Sequence, residues 1–227
     1  MKMNNKINEA LKVVKSFGYK VIKESLDELS DEDKKLVQEL ANETGNDAED
    51  AEVEGGAGIE GHARLVKFGD EEYECYDDYD DAVSAAEEEI KSLIEDCGGV
   101  MKVGFQWGAL GGKEQYIDES DAENYVREDL ENMLSDMSNR EKRETYGSTD
   151  DEEIIEEQLG KISSYVDYIV DNFGEGELEQ LIKHGYVSFD EDKLAEDCVD
   201  IDGPAHNLAR YDGKEIELDG WWAYRVN

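Results

Sequence analysis

The chain has 227 residues, of which 38% are apolar and 9% aromatic, and its 61 acidic against 23 basic side chains leave a formal charge of -38. The apolar content is enough for at least one real core and, with clear apolar stripes, excludes a chain disordered throughout. The basic residues are dispersed, in groups of no more than two neighbours, which argues against direct binding of nucleic acid.

Cys75, Cys97 and Cys198 are far apart and odd in number, so neither a disulfide framework nor a zinc knuckle is expected, and a reducing, cytoplasmic setting fits. The opening MKMNNKINEALKVV lacks the apolar core of a signal peptide, and no run of 18 apolar residues occurs, so neither secretion nor a membrane span is expected.

In chain order, residues 1–48 read as a helical segment. Ile7, Leu11, Val14 and Phe17 share one helical face, and Ser30 caps a second helix carrying Leu36, Leu40 and Ala41 before Gly45. Residues 49–61, rich in acid, Ala and Gly, read as a linker or exposed loop. Residues 62–116 read as a small α/β segment. A hairpin over 63–68 and 72–76 turns at Gly69-Asp70, and a helix capped by Asp80 or Asp81 presents Val83, Ala86, Ile90, Leu93 and Cys97 as its core stripe. One or two strands with flexible joins follow.

Residues 117–227 read as a helical region ending in a β-hairpin. Capping boxes are expected at Ser120/Glu123 and Thr149/Glu152. From the second, Ile155, Leu159, Ile162, Val166, Ile169 and Phe173 alternate steps of four and three, which predicts one long helix over 150–173 with either a core role or a homodimer seam. A short helix through Leu178 and Leu181, a strand at YVSF and a helix capped by Asp190 come next. The close predicts Pro204 at a helix start and a hairpin of KEIEL and WWAYRV around Asp219-Gly220, with Trp221 and Trp222 on opposite faces. The fold class is α+β, mostly helical, with small antiparallel hairpins.

The acid is arranged against local stability. Glu152/Glu156 and Glu153/Glu157 are like charges at i,i+4, and Glu95 and Asp96 lie in the last turn of a helix, where the macrodipole prefers cations. Such choices point to a requirement for negative potential outside the fold. The candidate partner-binding surface comprises Asp77, Asp78, Asp80, Asp81, Glu88, Glu95, Asp96, Glu128, Asp129, Asp151, Glu152, Glu153, Glu156 and Glu157. Duplex DNA carries one charge per about 1.7 Å of axis, so a net charge of -38 matches roughly 20 base pairs. A folded body presenting that field would compete for a basic groove that holds DNA.

Signals for catalysis are weak. An EF-hand register around Gly203 supplies Asp200 and Asp202 but places Cys198 and Ala209 where the first and last ligands belong. His62, His184 and His206 form no metal motif, and GALGGK lacks the spacing of a phosphate loop. Cys75 lies among carboxylates that would raise its pKa. No enzyme activity, cofactor or metal is expected; the rival is a hydrolytic site around His206, Tyr211 and Asp212, and His206 reads otherwise as a satisfied structural residue.

The segments YDDYDDAVSAAEEEIKSLIEDCG and HGYVSFDEDKLAEDCVDIDGPAHNLARYDGKEIELDGWWAYRVN resemble parts of acidic proteins of tailed bacteriophages. The terminal acidic α/β texture, with a strand, an Asp-capped helix and the closing WAYR, is similar to the ArdA-type antirestriction proteins. The likeness covers less than a third of the chain and carries over no individual residue. It implies a phage protein in the host cytoplasm, an elongated DNA mimic that blocks a host DNA-binding defence complex. The alternative is an inhibitor that uses shape and tyrosines to lock an assembly or ATPase surface.

Overall fold

The computed structural model describes residues 29–55 and 63–227. The expected helix with Ile7, Leu11, Val14 and Phe17 lies outside them, as does the end of the expected linker. The described residues form two compact units: those up to Ile90 together with Cys198–Asn227, and Lys91–Asp197. This differs from the four consecutive segments expected, because the chain returns at its end to complete the first unit's sheet.

In the first unit, α1 (Asp31–Thr44) begins where expected. The Ser30 side chain accepts from Asp33 N, and Gly45 at φ 79° closes the helix in the left-handed conformation that glycine adopts without penalty. Strands β1 (Ala51–Gly55), β2 (Ala63–Phe68), β3 (Glu71–Tyr76), β4 (Glu215–Leu218) and β5 (Trp221–Arg225) make one antiparallel sheet in the order β1-β2-β3-β5-β4. The start of the expected 49–61 linker is therefore the edge strand β1. Its alternation of Ala51 and Val53 inward with Glu52 and Glu54 outward is a strand pattern that its acid and small residues disguise.

One face of the sheet packs Val53, Val66, Phe68, Tyr73, Cys75, Trp221 and Ala223 with Leu36, Val37 and Leu40 of α1. Arg64 also lies on this face, with Nε 3.0 Å from Asp33 Oδ1 and its guanidinium over the Trp221 ring. On the other face Tyr76 and Tyr224 meet edge to face at 5.9 Å, and Trp222 lies against Tyr79. The expected separation of Trp221 from Trp222 is thus present, Trp221 buried and Trp222 half-buried.

Helix α2 (Tyr79–Cys97) begins before the expected caps: Asp80 and Asp81 lie inside its first turn, and Asp78 Oδ1 accepts from Asp80 N at 3.0 Å. Its buried stripe is Ala82, Ala86, Ile90 and Ile94, so Leu93 and Cys97, expected in the core, are exposed. Ala86 and Ile90 are buried as expected, and the stripe departs from expectation at its ends, where Ala82 and Ile94 take the place of Val83 and Leu93.

The second unit has a helical core. Helices α3 (Glu119–Ser135), α4 (Asn139–Tyr146), α5 (Asp151–Leu159), α6 (Tyr165–Phe173) and α7 (Glu175–Lys183) precede α8 (Glu191–Asp202), which runs on into the first unit. Helix α9 (Pro204–Leu208) then starts on Pro204, with Leu208 buried. Residues 100–117 carry no strand but two short 3-10 turns, Val100–Lys102 and Lys113–Gln115, and YVSF contributes only a single bridge, Ile117 to Phe189. Glycines at 104, 108, 111 and 112 leave too few side chains there to pack a pleated surface.

The long helix expected over 150–173 is two helices, broken at 160–164, where Ser164 caps α6 by accepting from Asp167 N. Of the expected seam, Ile155, Leu159, Val166 and Ile169 are buried with Val126, Leu134 and Leu178 in the unit's own core, Ile162 is partly buried against it, and Phe173 is 39% exposed. Most of the seam that suggested a homodimer through 150–173 is therefore occupied within the chain. The caps also differ from those expected: Asp118 and Asp150 serve α3 and α5, because an Asp immediately before each helix outcompetes the neighbouring Ser120 and Thr149. A complete capping box occurs at Ser138/Glu141, at the start of α4.

Candidate functional site

The acidic residues divide by what they touch. On α2, residues seven apart lie on nearly the same face about 10.5 Å apart along the axis, given 3.6 residues per turn and a 1.5 Å rise. Asp81, Glu88 and Glu95 occupy such positions, with Ser84 and Ser92 between them, on the side opposite the Ala82–Ile94 stripe. Glu88, Glu95 and Asp96 are exposed, as are Asp77, Asp78 and Asp80 ahead of the helix or in its first turn; Asp81 is half-buried. The last turn holds no base, but Lys102 Nζ donates to Gly98 O at 3.1 Å, so a cation from beyond the helix faces its C-terminal dipole.

Glu128 is exposed on α3, and Asp129 beside it is half-buried. Helix α5 overturns part of the sequence argument. Arg127 of α3 lies 3.3 Å from Glu152 and 2.6 Å from Glu156, so the like-charge pair shares one cation. Those contacts, led by the hydrogen bond to Glu156, hold the guanidinium pKa above its ordinary value. Asp151 takes both its carboxylate oxygens to Lys142 Nζ, at 2.6 and 2.8 Å, and Lys142 is buried. Glu153 accepts from Ser148 Oγ at 2.6 Å, and Glu157 lies 2.9 Å from Lys161. Four of the five carboxylates of α5 thus meet a cation, Glu152 and Glu156 sharing one, and this acid is weaker evidence for an outside partner than its spacing implies. Sequence reasoning missed Arg127 and Lys142 because it compared neighbours along one helix, whereas these cations come from α3 and α4.

A third group of carboxylates serves the sheet. Glu74 accepts from Tyr76 Oη at 3.1 Å, and burial holds its carboxyl above the usual range against the pull of that bond and of Arg210. Tyr224 Oη donates to Glu215 at 2.6 Å, and burial followed by that bond raises the phenol. Glu71 is lowered instead, first by the Asn46 amide and then by Tyr73 and Arg225. Cys75 is inert for a reason stronger than its acidic neighbours: it is buried in the sheet core, and burial is the main cause of its raised pKa.

The residues of the hydrolytic alternative carry separate contacts. His206 is exposed, Tyr211 lies 3.9 Å from the Arg225 guanidinium, and Asp212 Oδ1 accepts from Lys214 N. Among the described residues, no three His, Cys, Asp or Glu side chains come together to hold a metal ion, and no helix is long and apolar enough to cross a membrane.

Among the described residues the net negative charge divides almost evenly between the two units. What the surface can do chemically is attract cationic partners and repel phosphates, since among the described residues it offers many carboxylates on helices while most lysines and arginines already meet a carboxylate. Compared with protein-family models, with curated proteins and with solved structures, the chain matches none of them.

Proposed function

We propose that the protein is a stoichiometric inhibitor of a bacterial DNA-targeting defence system, encoded by a phage and acting in the host cytoplasm. Its carboxylates take the place of phosphates in a basic DNA-binding groove. The observation that carries this reading is a formal charge of -38 on a chain whose described residues pack a hydrophobic core in each unit, its helices turning acid outward. The proposed surface includes Asp77, Asp78, Asp80, Asp81, Glu88, Glu95 and Asp96 at α2 and, on α5, exposed carboxylates of which four also meet a cation.

Binding to such a groove displaces the same condensed counterions that DNA would displace. The test is competition. A host partner captured on the immobilised protein should be released by a duplex of roughly 20 base pairs, the length matching the protein's charge. Retention of the partner at saturating duplex would reject mimicry.

A second reading, an inhibitor that locks an assembly surface without resembling DNA, is favoured by one observation: Tyr186 and Tyr211 are 69% and 62% exposed. Tyrosines of this kind anchor protein interfaces. That reading predicts a partner indifferent to duplex DNA.

A further inference from the structure

We draw no further inference here: the strongest candidate, the depression in the second unit where residues 115–118 run beside 188–192, is a cluster of acidic residues in which Asp118 and Asp190 cap α3 and α8 and Asp192 meets Lys91, and nothing in the structure shows what would occupy it.

Discussion

The Arg127 guanidinium donates to the Glu156 carboxylate at 2.6 Å and so ties α3 to α5. It turns an apparent local conflict into a tertiary contact, because Glu152, four residues earlier, shares the same cation at 3.3 Å. Replacing Arg127 by alanine removes the bridge and leaves the two glutamates facing each other. The expected loss is up to about 1 kcal/mol at low ionic strength, since the carboxylates are largely exposed, and it should shrink as salt is added. Urea unfolding of both proteins at low and high salt checks this; an unchanged midpoint at low salt would show that the bridge contributes nothing.

Lys142 and Asp151 predict an order of effects rather than one value. Lys142 is buried and Asp151 partly exposed, so Asp151→Asn strands a buried ammonium and should cost about 1–2 kcal/mol. Lys142→Met removes the charge with its stem volume kept and should cost less. Thermal unfolding of the two variants gives the order, and a larger loss in Lys142→Met would contradict it.

Glu74 gives a pH dependence of opposite sign to the usual surface carboxylate. Burial raises its folded pKa, so the folded state binds the proton more tightly than the unfolded chain, and stability falls as pH rises past the ordinary carboxylate value. Glu72 and Glu89 nearby add to this, while Arg210 and the Tyr76 hydroxyl oppose it. Glu74→Gln should therefore stabilise the protein at neutral pH and give no gain well below the ordinary glutamate pKa. Denaturant unfolding at both pH values measures the difference, and a loss of stability at neutral pH in Glu74→Gln would show that the Arg210 attraction wins.

Gly99 is a position where a side chain has no room. Its φ is 134°, a Cβ there would collide with the Glu179 carboxylate, and that carboxylate is buried and accepts from Met101 N at 2.7 Å. Gly99→Ala should cost about 2 kcal/mol or more, whereas Gly104→Ala, with open space around it, should stay within about 0.5 kcal/mol. Equal effects at the two sites would mean that Glu179 moves aside freely.

These sites mark how far the sequence could be read. Local signals carried well: Ser30 before α1, Gly69-Asp70 in the β2–β3 turn, Pro204 at the start of α9 and the Asp219-Gly220 hairpin are each set by one or two residues and their backbone preferences. Patterns that tertiary packing decides did not carry. The step pattern from Ile155 to Phe173 ran straight through Gly160, although Ser164 with Asp167 three residues on was a readable helix start. β1 was hidden because Ala51 and Val53 are a sparse inward row. For the acidic surface, charge and exposure were legible from composition, but which carboxylates already hold a cation depended on how α3, α4 and α5 pack.

The central claim is that the acidic surface stands in for DNA. The most direct test is the salt dependence of affinity for the captured partner, measured beside that partner's affinity for duplex DNA. The account predicts that log K falls linearly and steeply with log salt for both, with slopes of similar size, and that replacing Asp80, Asp81, Glu88, Glu95 and Asp96 by their amides flattens the protein's slope. An affinity that barely changes with ionic strength, while DNA binding by the same partner collapses, would contradict it.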